Sequence, residues 1–183
     1  MKEKVKAKIM DEKKMQRTFL RLAVEVLERN RDMDKLVLIG IQTRGVYVAK
    51  RIQQLIKEQE NVNVPLGILD ITMFRDDLHR HERQPAVRKT EIKFSVEDKD
   101  IVLIDDVLFT GRTIRAAMDS IFELGRPASV QLAVLIDRGH RELPISPDFS
   151  GKFLPTARRE RVQVMLKELD GQDQVLITET AGF

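Results

Sequence analysis

The chain has 183 residues, a length typical of one domain, and 42% of them are hydrophobic, enough for a sizeable core. Its 32 basic and 29 acidic residues give a net charge of +3, which permits an anionic partner without requiring one. The absence of cysteine excludes disulfides, thiolate zinc sites and cysteine nucleophiles. No apolar run approaches the roughly 18 residues of a membrane span, and the lysine-rich start MKEKVKAKIM is unlike a secretion signal. These features predict a cytoplasmic protein with no membrane contact.

Strands and helices alternate in the first part of the chain. An apolar run such as LVLIGI is typical of a strand covered on both faces, and apolar residues three or four apart are typical of a helix. The predicted elements are an edge strand with Val5, Ala7 and Ile9 between lysines, a helix from the N-cap Asp11 to about Asn30, a strand at 36–41, a helix marked by Val46, Ala49, Ile52 and Ile56, and a strand at 65–74.

The second part of the chain continues the alternation of strands and helices after a polar stretch at 75–89. This stretch is predicted to be a long mobile loop. The elements that follow are a strand at 101–106, a helix at 112–124 stopped by Gly125-Arg126-Pro127, a strand at 130–136, an irregular segment at 138–156, and a terminal hairpin with strands near 162–166 and 175–177. This order predicts an α/β fold, with a mostly parallel central sheet flanked by helices and a small accessory hairpin above it.

The stretch IVLIDDVLFTGRT, residues 101–113, carries the strongest chemical signal. A buried strand delivers Asp105 and Asp106 to the carboxyl edge of the sheet, where ligands of open α/β sheets bind. Thr110-Gly111-Arg112-Thr113 then begin a helix, and hydroxyls, backbone freedom and a helix N-terminus together suit a phosphate. The carboxylates would repel that phosphate, so ribose hydroxyls or a shared Mg²⁺ are their natural partners.

A second anion site is predicted at Gln42-Thr43-Arg44-Gly45, again between a strand and a helix. Arg44 supplies charge and Gly45 supplies backbone freedom, which suits a pyrophosphate. The two loops together indicate a ligand with a phosphate at one end, a diol in the middle and a pyrophosphate at the other end.

Residues 101–113 resemble the phosphoribosyl pyrophosphate (PRPP) signature of type I phosphoribosyltransferases. The stretches DITMFRDDL, IQTRGVYVAKRI, ELGRPASVQLAVLIDRGHRELPI and GKFLPT are similar to the PyrR-type family of bifunctional pyrimidine-operon regulators and uracil phosphoribosyltransferases. The similarity covers nearly the whole chain. It implies one phosphoribosyltransferase domain over 1–183, with a lid loop at about 74–90 and a hood formed by 138–183 and the N-terminal strand.

The resemblance also implies roles for particular residues. Asp105, Asp106 and Arg44 would be catalytic, with Asp105 and Asp106 holding the PRPP ribose directly or through Mg²⁺. Uracil or UMP would contact Asp137, Arg138 and Val162. PRPP would be bound by Thr43, Arg44, Gly45, Asp105, Asp106, Val107, Leu108, Phe109, Thr110, Gly111, Arg112 and Thr113. Such enzymes often carry a non-proline cis peptide in the loop of Thr43 and Arg44.

The predicted reaction transfers the phosphoribosyl group of PRPP to uracil, giving UMP and pyrophosphate. Purine-using relatives commonly carry an acid immediately before the Thr-Gly pair, and this chain has Phe109 there, which favours a pyrimidine. Two alternatives stay open at this point: an RNA-binding regulator with only vestigial transferase activity, and a purine phosphoribosyltransferase.

The family also implies regulation of the pyrimidine operon by transcription attenuation, through binding of messenger RNA that UMP or UTP promotes. Residues 138–161 carry six basic side chains against three acidic ones, which equals the net charge of the whole chain. The predicted RNA contacts are Arg21, Arg29, His140, Arg141 and Lys152. The family further implies a homodimer or homotetramer, for which Leu20, Val24 and Leu27 are the candidate contact.

Overall fold

The computed structural model describes residues 3–74 and 89–180, and its centre is a five-stranded parallel sheet. The strands lie in the order β3-β2-β4-β5-β6, and the pairing of β2 with β4 runs in register from Leu36 opposite Asp100 to Gly40 opposite Ile104. Their bounds are β2 Leu36–Ile41, β3 Leu66–Leu69, β4 Asp100–Leu108, β5 Ser129–Asp137 and β6 Phe149–Phe153.

Helices cover both faces of this sheet because its central strands are apolar on both sides. Val102 and Ile104 of β4 pack in one core cluster with α1 and α2, whereas Ile101 and Leu103 pack in a second cluster with α3. The helices span α1 Glu12–Arg29, α2 Arg44–Glu60 and α3 Arg112–Leu124. Asp11 caps α1 by accepting the Lys14 amide at 2.8 Å, as the sequence predicts.

A second, antiparallel sheet has the order β1-β8-β7 and forms the hood. The terminal hairpin consists of β7, Glu160–Met165, and β8, Gln174–Thr180, with the short helix α4, Lys167–Asp170, between them. The N-terminal strand β1, Glu3–Met10, pairs with β8. The first ten residues therefore complete the hood although they are far from it in sequence.

Two predicted elements differ from the observed ones. The strand predicted at 65–74 ends at Leu69, and a 3-10 turn follows at Thr72–Phe74, because the Asp70 carboxylate accepts the backbone amide and hydroxyl of Thr72 and turns the chain. The irregular segment predicted at 138–156 is interrupted by a strand: residues 138–148 and 154–156 form no helix or strand, but Phe149–Phe153 form β6, the fifth strand of the main sheet, so the prediction is wrong for these five residues. The hood sheet thus begins at β7.

The predicted lid, about 74–90, lies outside the described residues except for its ends. Within the described ranges, 3–74 and 89–180, no helix is both long and apolar enough to cross a bilayer.

Candidate active site

The predicted functional loops meet at the carboxyl edge of the main sheet. Strands β2, β4 and β5 are parallel neighbours, so the segments 42–45, 105–113 and 137–142 all leave the sheet on the same side. The bond between Gln42 and Thr43 is a cis peptide, in the loop where the family resemblance implied one.

Gly45 brings the loop after β2 into direct contact with the end of β4. A Cβ atom at this position would lie 2.5 Å from the carbonyl oxygen of Ile104 and 3.1 Å from Oδ1 of Asp105. No other residue type leaves enough space for these backbones to approach so closely. The predicted pyrophosphate loop is therefore held against the acidic pair.

Asp105 and Asp106 lie where carboxylates are poorly hydrated. Asp105 is buried, Asp106 is half-buried, and the Asp106 amide donates to Oδ1 of Asp105 at 2.8 Å. Burial raises the pKa of Asp105 well above its usual range, and the neighbouring Asp106 raises it further. Burial also raises the pKa of Asp106, with Asp105 and Arg44 partly opposing the shift. The pair is thus poised to accept hydroxyl donors or a cation.

The loop at 109–112 connects these acids to the N-terminus of α3. Gly111 caps the helix with a φ of 92°, a left-handed conformation that favours glycine. The Thr110 carbonyl accepts the amides of Glu142 and Leu143 at 2.9 and 3.2 Å, and Arg112 pairs with Glu142 at 2.8 Å. A preorganised loop at a 13-residue helix N-terminus is suited to bind a phosphate.

A cavity of about 310 Å³ lies between the two loops. Six of the predicted PRPP-binding residues line it, namely Thr43, Arg44, Asp105, Asp106, Val107 and Thr113. The other six do not line it, namely Gly45, Leu108, Phe109, Thr110, Gly111 and Arg112. The side chain of Leu108 is buried in the core cluster against α3.

The cavity lining also includes Gln42, which belongs to the predicted anion site at 42–45, and Asp70 and Thr72, to which the sequence reasoning gave no binding role. The signal was present: Asp70 directly follows β3, whose carboxyl end adjoins that of β2.

A second cavity of about 380 Å³ opens between the sheet edge and the hood. The predicted uracil contact Val162 lines it, with Arg161 and Gln163 on either side and Thr178 from β8. Arg44 and Asp106 line both cavities, so a ligand in the first is adjacent to a ligand in the second.

The side chain of Arg44 extends to the hood. Its Nε donates to the Val164 carbonyl at 2.7 Å, and one terminal nitrogen donates to both carboxylate oxygens of Asp170 at 3.0 and 3.2 Å. The catalytic role predicted for Arg44 stays a prediction, and these contacts add a structural one.

The other two predicted uracil contacts organise the segment after β5. The Asp137 carboxylate accepts the Gly139 amide at 2.9 Å and pairs with Arg141 at 2.7 Å. The buried Arg138 donates to the Thr156 hydroxyl and to the Glu160 carbonyl, and its guanidinium lies 4.1 Å from the centre of the Phe109 ring. Burial lowers the pKa of Arg138. These contacts connect the loop at 109–112, the predicted phosphate loop, to the hood.

The predicted RNA contacts fall into two groups. Arg21 and Arg29 of α1 both contact the β6 edge, Arg21 through the carbonyls of Ser150 and Gly151 and Arg29 through Asp148 at 3.0 Å, and Lys152 lies on β6 itself. His140 and Arg141 instead pack on the phosphate loop. The His140 ring is edge-on to Phe109 at 5.8 Å, and Arg141 donates to the carbonyls of Phe109, Gly139 and Ile145.

Asp105 and Asp106 fit a magnesium ion that is coordinated both by their carboxylate oxygens and by oxygens of a ligand. Asp105 and Asp106 offer hard carboxylate oxygens whose charge is destabilised by burial. Within 3–74 and 89–180 no third acidic or histidine side chain joins them in a metal-binding cluster. The remaining oxygens would therefore come from the ligand and water.

Comparison with known proteins gives concordant results. The family model "Phosphoribosyl transferase domain" matches residues 7–165. The Bifunctional protein PyrR of Pelotomaculum thermopropionicum is 55% identical over 176 residues, 96% of this chain and 97% of that protein. Its namesake from Clostridioides difficile is 52% identical over 174 residues, 95% and 98% of the two chains. The hypoxanthine phosphoribosyltransferase structure from Trypanosoma cruzi covers 96% of this chain with a TM-score of 0.73 at 16% identity, a similarity of fold.

Proposed function

Since the chain belongs to the phosphoribosyl transferase domain family, and within it to the bifunctional PyrR proteins, we propose that it transfers the phosphoribosyl group of PRPP to uracil and regulates pyrimidine operons through RNA. The observation that carries the transferase activity is the contact of Gly45 with Asp105. This contact holds the loop at 42–45 against one side of the acidic pair, and the loop at 109–113 follows the pair along the chain. The arrangement supports the proposal because it matches the order of pyrophosphate, diol and phosphate along PRPP.

Different groups of residues bind the different parts of PRPP and the uracil base. Thr110, Gly111, Arg112 and Thr113 bind the 5-phosphate at the N-terminus of α3. Asp105 and Asp106 accept hydrogen bonds from the ribose hydroxyls, which relieves their poor hydration. The loop at 42–45 faces the pyrophosphate, and Val162 of β7 lines the compartment for uracil.

Uracil N1 attacks the anomeric carbon of the ribose, the bond to pyrophosphate breaks, and the uracil N1 proton passes to water or to the departing pyrophosphate. Positive charge builds on the sugar as pyrophosphate departs, and the acidic pair beside the ribose is placed to stabilise it. Mg²⁺, bound by PRPP together with Asp105 and Asp106, would neutralise charge on the departing pyrophosphate. The residues at 42–45 orient that group away from the base compartment.

Phe109 supports uracil as the acceptor in preference to a purine. It occupies the position before Thr110-Gly111, and its ring is covered by Arg138 on one side and by His140 at its edge. No carboxylate is present at this position to exchange a proton with a purine ring. Phe109 thus argues against a purine phosphoribosyltransferase, and the similarity to bifunctional PyrR proteins favours neither that alternative nor a regulator with vestigial activity.

The decisive experiment measures release of pyrophosphate from PRPP with Mg²⁺ in the presence of uracil, cytosine, hypoxanthine or guanine. We expect release with uracil alone and loss of about 100-fold or more in the Asp105→Asn/Asp106→Asn double variant, because the ribose loses its anionic partners. Turnover of hypoxanthine in preference to uracil would overturn the assignment, as would an unimpaired double variant.

For the regulatory activity, we propose that pyrimidine-operon messenger RNA binds a basic surface at the β6 edge when UMP or UTP occupies the site. Arg21, Arg29 and Lys152 form this basic edge, and His140 and Arg141 adjoin the phosphate loop. The activity belongs in the cytoplasm, where PRPP and messenger RNA are found. Leu20, exposed on α1, together with Val24 and Leu27 is the proposed contact in a homodimer or homotetramer.

A further inference from the structure

Arg44 physically connects the pyrophosphate loop to the hood. Its backbone belongs to the loop after β2, and its guanidinium makes three hydrogen bonds to the hood, one to the Val164 carbonyl of β7 and two to the Asp170 carboxylate. Val164 is two residues from Val162, the proposed uracil contact. The side chain of Arg44 therefore ties the position of β7 over the sheet edge to the loop.

Asp170 fixes the far end of this connection. It is the last residue of α4, and its Oδ2 also accepts the Leu166 amide at 2.9 Å while its own amide donates to the Leu166 carbonyl at 2.7 Å. Only 18% of its side chain is exposed, so water competes little for the carboxylate. One carboxylate thus orients both Arg44 and the chain directly after β7.

We propose that Asp170 is a positioning residue for uracil, which acts through Arg44 to set the separation between the pyrophosphate loop and strand β7. This inference rests on the proposed transferase function. It assigns Arg44 to the junction of the two compartments, which agrees with its place in the lining of both cavities. Asp170 itself contacts neither uracil nor PRPP in this account.

The competing interpretation makes Arg44 a cation for the pyrophosphate and Asp170 only its counterion. The two interpretations predict that removal of Asp170 changes the binding of different substrates. If Asp170 acts through the position of β7, its removal weakens uracil binding and leaves PRPP binding intact. If Asp170 only holds a pyrophosphate-binding cation, its removal changes PRPP binding and leaves uracil binding intact.

Arg51 and Glu168 provide a matched control. Glu168 is also on α4, and Arg51 of α2 donates to its two carboxylate oxygens at 2.9 and 2.6 Å. This pair also joins the hood to a helix of the core, but neither residue lines the two cavities beside the acidic pair. Glu168→Gln therefore weakens one ionic attachment of the hood and leaves the hydrogen bonds of Arg44 in place, while Arg51 keeps its bonds to Asp173 at 2.9 and 2.7 Å.

The experiment compares KM for uracil with the Kd of PRPP in Asp170→Ala, Asp170→Asn, Arg44→Ala, the Arg44→Ala/Asp170→Ala double variant and Glu168→Gln. We expect Asp170→Ala to raise KM for uracil about tenfold, as loss of a charge-assisted bond network would, and to change the Kd of PRPP by less than about twofold. Asp170→Asn keeps the side-chain shape and is expected to fall between wild type and Asp170→Ala. The double variant should be no worse than Arg44→Ala, because both single changes break one connection.

A wild-type KM for uracil in Asp170→Ala overturns the proposal, and so does an equal rise in Glu168→Gln, which would indicate general loosening of the hood. Melting curves establish that each variant is folded. Calorimetry with UMP repeats the comparison without turnover. We expect Asp170→Ala to weaken the binding of UMP by a factor similar to the rise in KM for uracil. A chain that binds UMP but does not convert uracil would refute the transferase function while still testing Asp170.

Discussion

Asp105 and Asp106 show how a functional requirement opposes stability at the level of single residues. A buried carboxylate next to another acid is costly to ionise, and no basic side chain hydrogen-bonds to Asp105 within the part of the chain that the structure describes. A fold selected for stability alone would place an uncharged residue there. A ligand whose hydroxyl groups donate hydrogen bonds to these carboxylates, or one that brings a cation, offsets the cost of ionising them.

This opposition predicts that Asp105→Asn stabilises the ligand-free protein. The pKa of Asp105 is higher in the folded than in the unfolded chain, so the wild type loses stability as the pH rises above the unfolded value of about 4, and the asparagine variant does not. We expect a gain of about 1–3 kcal/mol in the free energy of unfolding near pH 7. The asparagine oxygen can still accept the Asp106 amide.

Urea unfolding of both proteins between pH 4 and 8 measures the effect. The gain should shrink toward the acidic end of that range, where the wild-type carboxyl is increasingly protonated in the unfolded chain as well as in the folded one. An equal gain at every pH would mean that packing and not charge distinguishes the two side chains, and a loss of stability at pH 7 would contradict the account.

At the scale of elements, the edge of the main sheet combines α1 and β6 into one surface. Arg21 donates to the carbonyls of Ser150 and Gly151, and Arg29 pairs with Asp148 and lies 5.8 Å from the ring centre of Phe149. These contacts hold two exposed cations beside Lys152. Such a surface binds phosphates without regard to sequence, so base recognition must come from elsewhere.

The Arg21→Gln/Arg29→Gln variant tests the role of this surface in RNA binding. With UMP present, we expect weaker binding to a pyrimidine-leader hairpin, and a salt dependence of log K that is shallower by about 0.7–0.9 for each lost phosphate contact. Arg115→Gln is the matched control, since Arg115 forms an i,i+4 ion pair with Asp119 on α3 as Arg21 does with Glu25 on α1. Because Arg115→Gln removes one charge and the double variant removes two, a loss of binding in Arg115→Gln about half that in the double variant, with about half the change of salt dependence, would indicate a nonspecific effect of net charge.

The sequence predicted the elements whose residues carry a local signal. The buried runs of β2, β4 and β5, the Asp11 cap and the helix at 112–124 were all identifiable because burial on both faces, capping and 3.6-residue periodicity act within a few residues. The predicted fold class is confirmed by the order of the sheet and by the match to the family model. The predicted PyrR family is confirmed by the similarity to curated relatives. The assigned roles of individual site residues stay predictions.

What the sequence did not predict depends on contacts between distant segments. Strand β6, FSGKF, has only Phe149 fully buried, so its pattern resembles a loop until α1 covers it. Asp170 lies 126 residues from Arg44, and nothing near either position indicates that they meet. Asp70 became part of the site only once β3 was placed beside β2. In each case the information lies in the topology of the sheet.

At the scale of the whole molecule, function follows from the placement of a three-stranded hood over the carboxyl edge of a five-stranded parallel sheet. The sheet edge supplies the two loops proposed to bind anions and the acids between them, and the hood supplies the second compartment. Arg44 connects the two units through Val164 and Asp170, and Arg138 connects them through Glu160. The first step of either proposed activity is occupation of the sheet edge by an activated sugar or by its nucleotide product.

Calorimetric titration of PRPP in the presence of Mg²⁺ tests this claim most directly. The account predicts saturable binding of one PRPP per chain, with weaker binding of ribose 5-phosphate and of pyrophosphate, since each occupies only one of the two loops. Binding should be lost in the Asp105→Asn/Asp106→Asn variant. Absence of heat with PRPP and Mg²⁺, or equal affinities for PRPP and ribose 5-phosphate, would contradict the central claim.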